Sequence, residues 1–333
     1  MKTAAILLVL LALAGTSLFF QENQQTSLEA TAFGKFKEWK QNHNLVYSSS
    51  EDAYRFQVYF ENFQFVEEFN ANNSFTLGVE NQFAAMTNEE FKAQFTSEII
   101  SEGYNYQQVD RNVYEAVNAP SGSVNWVSKG AVQGVQNQGV CGSCWAFSAV
   151  CSLERLYKIN TGKLLSFSEQ QLVSCEPKSY GCDGGWPEAA FAYSATHGLE
   201  SSASYPYVQQ KNGKTASCQY NSSKATKGIN KSYKNVAANS PDSIYNALVK
   251  QPLSILVDAS SSVFQHYGSG VINSTACGTT LNHAINVVGY SGSVWTLRNS
   301  WGTTWGEKGY ARVQYSTGAG YCGMNRSASY PTN

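Results

Sequence analysis

Histidine is scarce in this chain of 333 residues, with only His43, His197, His266 and His283, and charge is sparse too: 23 Lys and Arg against 24 Asp and Glu leave a net charge of -1. Neither a basic stripe nor a long run of like charge is present, which argues against a nucleic-acid partner or polybasic membrane attachment. Past the N-terminus, no segment approaches the roughly 20 consecutive apolar residues of a membrane span. There is no internal repeat, no low-complexity tract, and no glycine loop followed by Lys that would cradle a phosphate. Cys175 and Cys182 stand too far apart for a zinc knuckle, so neither a metal nor another cofactor is expected. What remains is a globular protein with 42% hydrophobic residues and a peptide or small molecule as its partner.

Lys2, the apolar run from Ala4 to Ala14 and the small residues Ala12, Ala14 and Gly15 read as a secretory signal peptide ending near residue 17. Export agrees with eight cysteines, since disulfides persist in oxidising compartments. The expected location is the secretory pathway, ending in a lysosome or vacuole or outside the cell. Sequons at Asn72, Asn221, Asn230 and Asn273 fit that route, and a fifth at Asn325 is expected to be too buried for modification.

From Phe33 to Asn70 the pattern is helical, with Phe33, Phe36 and Trp39 on one face and Tyr59, Phe63 and Val66 following a break at residues 48–50. Its aromatic load implies that this piece rests on another surface. Residues 103–118 show no steady period and read as an extended connector, with a boundary near Ala119 and Pro120. The half up to about Ser204 reads as mainly helical. Strands are expected at 253–257, 284–290, 294–298 and 310–313, rich in branched and aromatic residues.

The stretch from Gln136 to Ser148 draws the rest together. From Cys144 the apolar residues Phe147, Val150, Leu153, Leu156 and Tyr157 recur at helical spacing until Gly162, so Cys144 opens a helix. Unpaired N–H groups at that end favour thiolate, a nucleophile at neutral pH. A base is then needed. His283 lies at the mouth of one expected strand and Asn299 at the end of the next, so a hairpin would bring them together. The Asn oxygen would fix the tautomer and aim the free imidazole nitrogen at the thiol, with Trp301 shielding the bond. Taken alone, a strand histidine is more often a core residue.

In company, Cys141-Gly-Ser-Cys-Trp145 with His283 and Asn299, 139 and 155 residues beyond Cys144, resembles the papain-like cysteine peptidases, in particular the cathepsin L-like branch. The resemblance implies an α+β, two-domain fold with a helical left domain, an antiparallel β-barrel-like right domain and a cleft between them. An α-helical inhibitory propeptide would precede it: residues 18–118, helical over about 31–95, with a connector over 96–118 and a mature domain over 119–333. Glu51, Arg55, Tyr59, Asn62, Val66 and Asn70 resemble the propeptide's ExxxRxxxFxxNxxxIxxxN helix. The segment from Gly78 to Phe83 resembles the GxNxFxD motif with one extra residue, and Ala85 stands where Asp is expected.

By the same resemblance, Cys144 is the nucleophile, His283 the acid and base, Asn299 its orienting residue and Gln138 the side-chain donor of the oxyanion hole. Disulfides are implied for Cys141 with Cys182, Cys175 with Cys218 and Cys277 with Cys322, leaving Cys144 and Cys151 free. Gly184 and Gly185 would form a cleft wall close to substrate backbone, alongside Trp301. Trp186, Pro187, Leu256, Ala284 and Ser327 would line an S2 pocket suited to a hydrophobic side chain. The implied activity is that of a monomeric endopeptidase acting on peptide and protein substrates through a thioester, with its own propeptide as intramolecular inhibitor and cystatin-type inhibitors as further partners. Two other readings compete: a C-x-x-C redox dithiol, which lacks its βαβ setting and leaves His283 and Asn299 idle, and a catalytically silent relative, which the presence of all four site residues opposes.

Overall fold

The computed structural model describes residues 25–97, 120–208 and 213–333. The expected signal peptide, the expected connector beyond residue 97 and the expected boundary at 118–119 lie outside the described residues.

Helices α1 (residues 25–42) and α2 (Ser49–Asn72) cross with an aromatic seam of Phe36, Trp39, Phe56 and Tyr59 between them. The residues of the ExxxRxxxFxxNxxxIxxxN pattern have visible jobs. Arg55 pairs with Glu51 one turn away at 2.7 Å and with Glu90 at 2.7 Å, Tyr59 and Val66 are buried, Asn62 donates to Ala84 and Met86 carbonyls, and Asn70 bonds both backbone groups of Leu77. The long helix thereby fixes the path of the segment that follows it, through strand β1 (Thr76–Leu77) to helix α3 (Asn88–Phe95). Thr87 and Glu90 form a reciprocal capping box at the start of α3, satisfying two otherwise orphaned N–H groups.

Next come β2 (Val124–Asn125) and three helices, α4 (Cys144–Thr161), α5 (Glu169–Cys175) and α6 (Pro187–His197). Helix α4 begins and ends where the apolar spacing predicts, with Gly162 in the left-handed conformation at φ 75° that glycine adopts without strain. Residues 144–156 are buried all round, because α4 is sandwiched between α6 and the sheet.

The remaining elements are β3 (Ser232–Asn235), α7 (Pro241–Leu248), β4 (Leu253–Val257), the short helix α8 (Ser262–Gln265), β5 (Tyr267–Ser269), β6 (Val271–Ile272), β7 (His283–Ser291), β8 (Val294–Arg298), β9 (Tyr310–Gln314) and β10 (Ala328–Thr332). The main sheet runs β3-β10-β4-β7-β8-β9-β6, with β2 also on β7. Its pairs are antiparallel except β6 with β9, and its described path does not close into a barrel. Helix α7 and the outer strands β3 and β10 were not foreseen.

Three disulfides join Cys141 to Cys182, Cys175 to Cys218 and Cys277 to Cys322, and Cys144 and Cys151 are free. No described helix is long and apolar enough to cross a membrane.

Candidate active site

Helix α4 and strand β7 are locked together by buried polar groups. Ser148 Oγ donates to the Ile285 carbonyl at 2.8 Å, and Asn286 Nδ2 donates to the Ser148 carbonyl at 2.9 Å and to Ser152 Oγ at 3.2 Å. Buried groups of this kind are costly unless mutually satisfied, which makes the register between helix and strand well defined. Cys144 heads the helix one turn before Ser148, and His283 heads the strand two residues before Ile285. The first residues of both elements therefore meet at one end of the interface.

Strands β7 and β8 pair antiparallel, with Asn286 opposite Arg298. That register returns Asn299 to the His283 end, where its Oδ1 lies 2.8 Å from His283 Nε2. Nδ1 has no hydrogen-bond partner. The indole of Trp301 stacks on the imidazole with ring centroids 4.4 Å apart, excluding water from the His–Asn bond.

Gln138 is fully buried and held at four points, one of them its carbonyl, which accepts from the Tyr207 hydroxyl at 2.8 Å. Its N–H donates to the Ser300 carbonyl at 2.8 Å, its Oε1 accepts from Ser300 Oγ at 2.6 Å, and its Nε2 donates to the Cys141 carbonyl at 3.0 Å. Ser300 was not singled out from the sequence. Its signal was its place between Asn299 and Trp301, and what it does is settle which end of the Gln138 amide carries the donors.

Gly184, expected on the cleft wall, adopts φ 130°, a region that favours glycine. Gly185 answers a packing need as well: a Cβ there would stand 2.6 Å from Ser179 and 2.8 Å from the Trp145 ring. Leu256 and Ala284 are directly opposite on β4 and β7, the Leu256 N–H donates to the Ser327 carbonyl, and Trp186 and Pro187 begin α6. Among the described residues, no group of three His, Cys, Asp or Glu side chains could hold a metal ion.

The protonation state differs from the one expected at a helix N-terminus. Burial pushes the Cys144 thiol up to about 11 against the opposing pull of backbone amides at Ala284, Trp145 and Cys144 itself. Burial likewise pushes His283 down to about 4, against its bond to Asn299. In this covered form the pair is thiol and neutral imidazole, because desolvation outweighs the helix end. The N-terminal segment lies next to this end of the interface. Phe83, Phe91 and Phe95 meet the Trp301 ring edge-on, Gln82 donates to the Trp301 carbonyl, and Ser97 bonds both cleft walls, its N–H to Asn282 O at 2.8 Å and its Oγ to Asp183 O at 2.9 Å.

One modification site needs correcting. Asn230 is buried, and its Nδ2 donates to the Phe191 and Ser232 carbonyls, leaving no room for a glycan. Asn72, Asn221 and Asn273 are exposed, whereas Asn325 is buried.

Residues 120–332 match the family model for papain family cysteine proteases, and residues 36–91 match the cathepsin propeptide inhibitor domain. The chain belongs to the papain family. It is a cysteine endopeptidase of that family, carrying an inhibitor-type propeptide. Chymopapain of Carica papaya is 39% identical over 322 residues, covering 94% of this chain and 90% of the relative. A ragweed pollen cysteine protease solved in its proform superposes with a TM-score of 0.77 at 37% identity, covering 90% of this chain and 92% of that one. A recombinant stem bromelain precursor gives 0.79 at 37% identity, covering 91% and 99%. Papain-family membership excludes the redox-dithiol reading, and Cys141 is in any case bonded to Cys182 rather than paired with Cys144.

Proposed function

We propose that the chain is a zymogen made in the secretory pathway, a papain-family endopeptidase whose residues 18–118 block its cleft until they are removed. The observation that carries this reading is Ser97, hydrogen-bonded to Asn282 beside His283 on one wall and to Asp183 beside Gly184 on the other. A substrate backbone would need the same space.

With the cover gone, water re-enters, the burial penalties on both groups fall, and the helix end and imidazole favour the thiolate–imidazolium pair. Cys144 Sγ attacks the scissile carbonyl carbon. The oxyanion forms against Gln138 Nε2 and the Cys144 N–H, and two fixed donors aimed at developing charge are the largest single contribution expected here. The C–N bond breaks as His283 delivers its Nδ1 proton to the leaving amine, leaving a thioester. His283 then takes a proton from water, hydroxide adds to the thioester carbonyl, and the C–S bond breaks, releasing the acid product and leaving the Cys144 thiolate beside protonated His283. Asn299 keeps Nδ1 aimed inward throughout, because Nε2 is engaged with it.

Trp186, Pro187, Leu256, Ala284 and Ser327 bring no carboxylate to the pocket proposed for the residue before the scissile one, which supports a hydrophobic preference at P2. Exported, the enzyme would act as a monomer in a lysosome, vacuole or extracellular space, glycosylated at Asn221 or Asn273, with Asn72 glycosylated on the propeptide, and open to cystatin-type inhibitors. The test is labelling of the processed enzyme with an epoxide warhead. Single modification at Cys144 with stoichiometric loss of activity is expected, and undiminished turnover in Cys144→Ala would overturn the mechanism.

A further inference from the structure

The N-terminal segment docks on residues 260–270 through a continuous seam. Strand β1 pairs with β5, Thr76 opposite Ser269 and Leu77 opposite Tyr267. The Gly78 N–H donates to the His266 carbonyl at 2.8 Å, Asn81 Nδ2 donates to the Gln265 carbonyl at 3.0 Å, and Asn88 Nδ2 donates to the Ser260 carbonyl and Gln265 Oε1, both at 3.0 Å. In the middle of this seam His266 is fully buried, and its ring nitrogens have no side-chain partner and at most a weak contact with the Gly78 backbone. A neutral imidazole tolerates that position poorly, and a charged one far worse.

The charged and titratable groups on the surrounding elements do not relieve it. Glu80 follows Gly78 on the docked segment. Glu89, Glu90 and Lys92 lie on α3, where Glu90 is engaged by Arg55. Glu307 is taken up by Arg312 and the Gly270 N–H, Lys308 is its neighbour, and Tyr267 donates to the Gly270 carbonyl. None of these bonds the His266 ring. Burial accordingly pushes the ring down to about 4 from an ordinary 6.5, and only the backbone of Gly78 pulls the other way.

We propose that His266 is a proton-operated release for the propeptide: in acid its ring takes up a proton, cannot remain buried in the seam without a carboxylate partner, and opens the β1–β5 seam. This rests on the zymogen reading above, and it supplies an acid-sensitive group on the enzyme side of the seam in a chain with Ala85 at the motif's Asp position. The sign follows from linkage. The docked form binds the proton less readily, so docking is fully supported above about pH 6.5 and is lost progressively as pH falls toward about 4, up to roughly 10²-fold. His283, also neutral under the cover, adds a background of the same sign.

The experiment uses the full chain with Cys144→Ala, which cannot cut itself, and follows amide hydrogen exchange at residues 76–78 and 267–269 from neutral to acid pH, corrected for intrinsic rates. Acid should speed exchange at the seam. With His266→Leu added, that acceleration should fall by about tenfold or more, since the pH-independent leucine leaves only the background. If the leucine chain does not fold at neutral pH, His266→Gln is read the same way. Equal acceleration with and without the histidine would overturn the proposal. Full activity of the uncleaved, Cys144-bearing chain at neutral pH would instead overturn the zymogen reading, and the exchange result is independent of that assay.

Discussion

Asn299 Oδ1 and His283 Nε2 lie 2.8 Å apart beneath the Trp301 ring, and His283 Nδ1 is left as the nitrogen with no partner. An imidazole so held presents one reactive nitrogen in one direction. Asn299→Ala should therefore lower kcat by up to roughly 10²-fold with little change in KM, the share of general acid–base catalysis lost when the ring is free to turn. Steady-state kinetics on the processed enzyme checks this. An unchanged kcat would mean that packing by Trp301 alone orients the ring.

The oxyanion donors give a second expectation. Gln138→Ala should reduce kcat/KM by roughly 10²-fold, as loss of one such donor does elsewhere. Ser300→Ala should cost less, because the amide remains but either of its ends can now face the cleft. The two residues are in direct contact, so the double variant should be little worse than Gln138→Ala alone. Additive losses in that double-mutant cycle would show that Ser300 does not act through Gln138.

Covered and uncovered forms should differ in thiol chemistry. With its thiol pushed up to about 11, Cys144 in the full chain is ionised to only about one part in 10⁴ at pH 7. Iodoacetamide labelling of the full chain should be slow at neutral pH and climb steadily with pH toward 11. After removal of the N-terminal segment, labelling at pH 7 should be at least roughly 10²-fold faster and nearly flat through the neutral range, the thiolate being already formed. Mass spectrometry of the labelled peptide reads both. Equal neutral rates would show that the segment does not govern the state of the pair.

The contrast between what the sequence made legible and what it did not follows from range. Helix α4 and strands β4, β7, β8 and β9 were readable because their periodicity is local and their burial strong. Strand β3 was not, since all four of its residues are exposed and show no alternation, and β10 carries a proline near its end. Ser240 caps α7, and Pro241 occupies its first turn, a start signal that eight residues of mixed composition did not reinforce. The site residues were legible through their spacing and their resemblance to a family. The protonation of Cys144 was not, because a helix end acts within one turn while the burial that outweighs it is set by tertiary packing that no local pattern shows.

The proposed specificity at P2 turns on Ser327, whose carbonyl is tied to Leu256 and whose side chain is nearly buried beside a strand pair that brings Leu256 opposite Ala284. A pocket with these walls gains by burying an alkyl or aromatic side chain, at about 25 cal/mol for each Å² removed from water, and gives an arginine head no partner. Wild-type processed enzyme should therefore cleave peptide libraries mainly where Leu, Val or Phe occupies P2. Ser327→Glu should open cleavage with Arg at P2 by at least about tenfold in kcat/KM, because a paired guanidinium offsets its own desolvation whereas an unpaired one does not. It should also slow the hydrophobic substrates, which would now leave a carboxylate unpaired. A library profile already dominated by basic P2 residues in the wild type would show that another acidic group reaches the pocket, and that the five residues named do not define it.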